Sequence, residues 1–260
     1  MRLQKVISVL VDPDQVGYIK DRYIGENIRT IEDLMYFTSL KKIPGILALV
    51  DFEKAFDTIE WSFLFETLVK FGFGKNFIKW IKLLYTNISS CVSNNGYISK
   101  FFILSRGIRQ GCPISALLFI LVAEILAVNI RTDINIKGIT VDDTHFKIGQ
   151  LADDTTLFLS NIDSLRRAID KFNCFGKLSG LKVNLEKTEI VSLGGQDIIS
   201  SQLTGVLRGI RVTNGPFKTL GVWFTCDSEK CVTLNFNERS KGIHKYLIFR
   251  SPEHYHGKGR

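Results

Sequence analysis

Apolar and polar positions alternate along this chain in blocks whose period changes several times, and each change marks an element. Ile46-Leu-Ala-Leu-Val50 is a short continuous apolar run, the signature of a fully buried strand, and it ends in Asp51. From Phe52 onward the period lengthens to a helical one, with Ile59, Phe63, Leu64 and Leu68 on one side. Asn95-Gly96 between Cys91–Ser93 and Tyr97–Ile103 is a tight hairpin signal. Ile114–Val128 is apolar on all sides, so it reads as a buried helix with Pro113 in its first turn, and it carries Glu124. Phe146–Leu151 and Thr155–Leu159 read as the strands of a second hairpin. A helix bearing Leu165, Ile169 and Phe172 then starts from an Asn161 or Asp163 cap and runs to Ser179-Gly180, and a strand follows at Thr188–Leu193. Strand, helix, hairpin, helix, hairpin, helix, strand is an elaborated split βαβ pattern, which predicts an α+β protein.

Composition narrows the picture little. The 260 residues are 45% hydrophobic and 23% charged, ordinary for a globular chain that can bury a large core. The net charge of +8 and a pI near 9.2 favour a polyanionic partner. Lys41-Lys42, Arg166-Arg167, Lys182, Lys187, Arg208 and Arg211 are scattered, which suits a groove tracking a backbone better than a flexible basic arm. Five cysteines without a C-x-x-C pair point to free thiols. Cys226 and Cys231 with His244, His254 and His256 have the wrong spacing for a common zinc site. Met1–Val11 is too short in apolar residues for a signal segment, and Ile114–Val128 too short for a membrane span, so no membrane partner is expected.

The candidate chemistry lies in Leu151-Ala-Asp-Asp-Thr155. Adjacent carboxylates at a half-buried hairpin tip repel and raise each other's pKa unless a cation neutralises them, although a solvated acidic turn would look the same. Asp51 changes the balance, because a buried strand that ends in a carboxylate holds a ligand at a rigid edge. One acidic strand end with one acidic hairpin tip is how sites holding two metals about 3.5–4 Å apart are built for phosphoryl transfer.

These residues carry a resemblance. Ala48-Leu-Val-Asp-Phe-Glu-Lys-Ala-Phe-Asp57, Arg106-Gly-Ile-Arg-Gln-Gly-Cys-Pro-Ile-Ser115 and Leu151-Ala-Asp-Asp154 resemble reverse-transcriptase motifs A, B and C. Gly180–Thr188 is similar to motif D, Phe217–Val222 to the motif E hairpin, and Tyr18–Arg29 to the fingers block of non-LTR (LINE-type) retrotransposon polymerases. Ala-Asp-Asp in motif C points to the non-LTR group. The resemblance implies a right-hand polymerase with partial fingers over 1–42, a palm with a fingers insertion and the start of a thumb over 43–240, and an irregular tail over 241–260. It implies an RNA-directed DNA polymerase, acting in the nucleus on an RNA template, a DNA primer and deoxynucleoside triphosphates. Two Mg²⁺ ions, or Mn²⁺, would be held by Asp51, Asp153, Asp154 and the Phe52 carbonyl. Lys187 would protonate the leaving pyrophosphate, and a solvated strand-end lysine is the other reading. Arg22 would meet the triphosphate, Phe56 would exclude a 2′-hydroxyl or simply pack the core, and Arg109, Gln110 and Gly111 would lie at the nucleotide.

Three features depart from the family pattern. Asp21 stands where glycine is expected, Asn235–Arg239 starts a thumb whose pattern then dissolves, and upstream blocks and an endonuclease are lacking. A catalytically idle remnant that at most binds nucleic acid is the alternative reading.

Overall fold

A computed structural model of the chain describes residues 3–195 and 202–249. A short 3-10 turn (Leu3–Lys5) leads into α1 (Ile7–Leu10) and α2 (Ile24–Lys41), and then into β1 (Gly45–Val50). After β1 come α3 (Ala55–Thr58), α4 (Trp61–Lys70), α5 (Lys75–Leu84) and four two-residue strands, β2 (Ser89–Ser90), β3 (Ser93–Asn94), β4 (Tyr97–Ile98) and β5 (Phe102–Ile103). The long α6 (Ser115–Thr132) is followed by a small hairpin, β6 (Ile139–Val141) and β7 (Thr144–Phe146), and by the hairpin β8 (Ile148–Leu151) and β9 (Asp154–Leu159). α7 (Ile162–Ser179), β10 (Glu189–Leu193), β11 (Arg211–Thr213), β12 (Phe217–Thr219), β13 (Val222–Phe224) and α8 (Ser228–Phe249) complete the chain.

The main sheet has the order β11-β10-β1-β9-β8, and β1 is antiparallel to both β10 and β9. With β1, β8, β9 and β10 taken as first to fourth, the order is 4-1-3-2, the split βαβ palm that the element pattern predicts. β1 lies between two strands and is covered on both faces, which is why it reads as a continuous apolar run. Its alternate residues Ile46, Ala48 and Val50 join Leu157, Leu159 and Ile190 in a core with α6 and α7. On the opposite face Leu47, Phe158 and Val191 are also buried, and α2 packs against β8 and β10.

α6 is apolar all round because it runs through this core. Phe119, Ile120, Leu121 and Val122 are each 0% exposed. At 18 residues the helix is longer than the apolar run suggested, long and apolar enough to cross a membrane, with 67% of it buried in this structure. It begins after an Ile114 cap, so Pro113 stands just outside the helix and not in its first turn.

Two further sequence expectations are corrected. The helix after Asp51 is broken at Ile59–Glu60, because neighbouring segments take those backbone groups: Gly107 N–H donates to Ile59 O and Glu60 N–H to Ser179 O, both at 2.8 Å. The strand expected at Phe146–Leu151 is divided at Lys147. Phe146 pairs with Ile139 in the small hairpin, while Lys147 Nζ reaches the carbonyls of Arg131 and Asp133. Elsewhere local chemistry acts as read: the Asn161 side chain accepts from Ser164 N–H, and Asn95-Gly96 turns with both residues at positive φ.

The chain divides into two compact units, 1–212 and 213–260. In the second, β12 and β13 pair Phe217 with Phe224, and Asn235 of α8 clasps the Trp223 backbone through its Oδ1 and Nδ2. α8 continues to Phe249, into the stretch read as an irregular tail; Ser251–Arg260 lie outside the described residues.

Candidate active site

The register of the sheet brings the three carboxylates to one edge. Val50 pairs with Thr155 and Leu151 with Asp154, so Asp51 leaves β1 level with the turn that joins β8 to β9. Asp153 sits in that turn and Asp154 opens β9. Partial burial, with the nearby charges of Asp153 and Asp51, pushes the Asp154 carboxyl above its usual range. Among the described residues no lysine or arginine forms an ion pair with any of the three.

The segment after α7 buttresses Asp51. Asn184 N–H donates to Asp51 O (2.8 Å), Glu53 N–H donates to Lys182 O (2.9 Å), and Asp51 N–H reaches Thr188 Oγ1 at 3.4 Å. Those two backbone bonds flank the Phe52–Val183 bridge and leave the Phe52 carbonyl out of it. The Phe52 ring stacks on Phe172 of α7, with centroids 5.8 Å apart. Lys187 is exposed in the turn before Thr188, its N–H on Asn184 Oδ1.

The donors available at this edge are hard oxygens: three carboxylates and the Phe52 main-chain carbonyl, the kind of set preferred by Mg²⁺ or Mn²⁺. Among the described residues, no three His, Cys, Asp or Glu side chains are gathered closely enough to hold an ion as they stand.

The nucleotide-side candidates meet around the start of α3. Ile108 N–H donates to Phe56 O (2.6 Å), and Trp61 Nε1 donates to Gly107 O (2.7 Å), which ties the loop carrying Arg109, Gln110 and Gly111 to the helix carrying Phe56. Gly107 is required there: its φ is +94°, and a Cβ would stand 2.9 Å from Asp57 O. Arg109, Gln110 and Gly111 are exposed. Phe56 is half-buried, with its ring stacked on Phe119 at 4.6 Å and 14°.

Arg22 has a different place from the one expected. Its guanidinium donates to the carbonyls of Ser8 (3.0 Å), Val11 (2.7 Å), Asp12 and Gln15 (2.6 Å). The fork matches four main-chain oxygens that close the end of α1, so it holds the loop 8–15 in shape.

Several residues at this site had no local signal. Gln15, 1% exposed, contacts Ala152 from 137 positions away. Behind it Arg131 pairs with Asp14 (2.6 Å) and with Glu124, linking the segment to α6. Burial pushes Asp14 up to about 6 and Glu124 to about 7, against the pull of Arg131. Only the presence of Glu124 in an apolar run hinted at this network.

Fold and site together define a polymerase palm. The sequence model of the reverse transcriptase (RNA-dependent DNA polymerase) family matches residues 1–224, and the chain belongs to that family. Among its relatives, the transposon TX1 uncharacterized 149 kDa protein of Xenopus laevis is 27% identical over 238 residues, 92% of this chain and 18% of that protein. The retrovirus-related Pol polyprotein from the type-2 retrotransposable element R2DM of Drosophila melanogaster is 30% identical over 190 residues, 73% of this chain and 18% of that protein. Both are proteins of transposable elements and support the non-LTR assignment that motif C carries. The chain thus spans 18% of the length of these relatives.

Solved structures share the fold. Apo telomerase from Candida tropicalis, truncated from the C-terminal domain, superposes with a TM-score of 0.58 at 17% identity over 86% of this chain and 43% of that one. Telomerase from Candida albicans, in complex with the TWJ fragment of telomeric RNA, gives 0.60 at 11% identity over 85% and 35%.

Proposed function

We propose that this chain is the fingers-and-palm portion of a mobile-element polymerase that extends a DNA primer on an RNA template. The observation that carries the reading is the meeting of Asp51, Asp153 and Asp154 at one edge of a buried sheet, with no cationic side chain paired to them among the described residues. The primer 3′-hydroxyl attacks the α-phosphorus of a deoxynucleoside triphosphate, and pyrophosphate leaves. Two Mg²⁺ ions, when bound, would lower the pKa of the hydroxyl and offset the charge on the leaving group.

The chain's own residues divide the remaining work. Asp51 at the end of β1 and Asp153 in the turn between β8 and β9 would hold the ions, and Asp154 with the Phe52 carbonyl would complete the oxygen set. Phe56, supported from behind by Phe119, forms the floor under the sugar and leaves no room for a 2′-hydroxyl. Gln110 and Gly111 support the incoming base pair, and Arg109 meets phosphate or template. Lys187 delivers a proton to pyrophosphate. Arg22 shapes the fingers loop and is not assigned to the triphosphate. The net charge of +8 suits a polyanionic partner, and the likeness to a telomerase solved with RNA supports an RNA template.

The test is primer extension by the purified chain on an RNA template with deoxynucleotides and Mg²⁺. Extension that disappears in Asp51→Ala and in Asp153→Ala is expected. A folded chain that binds primer–template in a salt-dependent way but never extends it would instead be the remnant.

A further inference from the structure

The hairpin tip that carries Asp153 and Asp154 is gripped from behind by a single side chain. Gln15 Oε1 accepts the N–H of Ala152 and the N–H of Gly17, each at 2.8 Å, and Gln15 Nε2 donates to the Ala152 carbonyl at 3.2 Å. Ala152 therefore has both of its backbone groups satisfied by one amide. It needs them, because at φ +57° it is a non-glycine residue in the left-handed region, buried, and the last residue before the two carboxylates.

The clamp is itself held on three sides. Asp14–Val16 lies along β8 through Gln150 N–H to Asp14 O (2.8 Å) and Val16 N–H to Gln150 O (2.9 Å). The Gln15 carbonyl accepts from Arg22, and Asp14 pairs with Arg131 of α6. The position calls for a primary amide of this length. An ionised carboxylate would have no donor for the Ala152 carbonyl, and an aliphatic chain would leave a buried N–H and C=O unpaired.

We infer that Gln15 is a positioning residue: its amide sets the Ala152 backbone and thereby where Asp153 and Asp154 project. This deepens the polymerase reading and rests on it for the role of the two carboxylates. A partner that orients a ligand from outside the ligand set commonly accounts for about 10–100-fold in metal affinity or activity.

The test compares the full chain with Gln15→Leu and Gln15→Glu through three measurements. Hydrogen exchange reads the amides of Ala152–Asp154 against those of α6. Mn²⁺ titration followed by electron paramagnetic resonance reads the metal site without turnover. Single-nucleotide extension separates kcat from the KM for the nucleotide. In Gln15→Leu, exchange at the tip should quicken at least about tenfold while α6 stays protected, and the Mn²⁺ midpoint should rise by about 10–100-fold. The kcat should fall by a similar factor at an unchanged KM. Gln15→Glu keeps both acceptor contacts and loses the donor, so it should fall between Gln15→Leu and the unaltered chain; it carries the test should Gln15→Leu fail to fold. A tip as protected, with the same Mn²⁺ midpoint, as in the unaltered chain overturns the inference. If the unaltered chain neither binds Mn²⁺ nor extends a primer, the polymerase reading fails, and tip exchange alone then decides whether Gln15 is the clamp.

Discussion

Gly17 touches the hairpin that carries Asp153 and Asp154 more closely than any side chain could. A Cβ at this position would stand 2.4 Å from Ala152 N, 3.1 Å from Ala152 Cα and 3.0 Å from Gln15 Oε1. Ordinary contact begins near 3.4 Å, so in Gly17→Ala the hairpin tip must retreat by about 1 Å (3.4 − 2.4). The nearest opposing atom, Ala152 N, and Ala152 Cα are backbone, which no rotamer change can relieve. Overpacking of this kind costs about 1–3 kcal/mol of stability. The larger effect falls on geometry: a displacement of about 1 Å in a reacting constellation costs on the order of 100-fold in rate, or about 2.7 kcal/mol of barrier. The assay is single-turnover insertion of one deoxynucleotide on an RNA template with Mg²⁺, run well below the melting temperatures of both proteins. Gly17→Ala should be slower by about two orders of magnitude while still folded. Insertion within about threefold of the unaltered chain would show that the tip tolerates the shift, and the argument that its position governs the reaction would be wrong.

Three further perturbations have defined outcomes. Asp154→Asn removes a carboxyl whose pKa is raised in the folded state; in chelator near pH 8 the melting temperature should rise, and the gain should fade as pH falls toward the unfolded value, whereas an unchanged melting temperature would refute the repulsion. Phe56→Ala should admit ribonucleotides; if Phe56 only packs on Phe119, the variant loses stability, by about 3 kcal/mol or less for a half-buried ring, and keeps its sugar preference. Glu124 is raised from 4.5 to about 7, so its contribution to stability is fully present below pH 4.5 and is lost as pH rises through about 7. The full span is about 3 kcal/mol, and urea unfolding should show the stability of the unaltered chain relative to Glu124→Gln falling by most of it between about pH 5 and 8; a constant difference would mean that Glu124 does not titrate there.

Much of this protein is decided by local chemistry and is therefore written in the chain. Strand β1 is apolar on both faces because it is central, α6 is apolar all round because it is buried, and Asn161, Gly180 and Asn95-Gly96 end or turn their elements by hydrogen bonds and φ values that depend on near neighbours. The acidic edge was legible too, since a carboxylate closing a buried strand and a pair at a hairpin tip are costly enough to need a reason. What only the tertiary structure decided are contacts between groups far apart in sequence. The helix after Asp51 breaks because Gly107 and Ser179 claim its backbone, and Arg22 serves carbonyls of its own loop where a phosphate was expected. Gln15 and Gly17 acquire their meaning from Ala152, 137 and 135 positions away (152 − 15 and 152 − 17), once the sheet has folded. Periodicity reports which face of an element is buried, but an amide on a buried face carries no sign of its partner until packing supplies one.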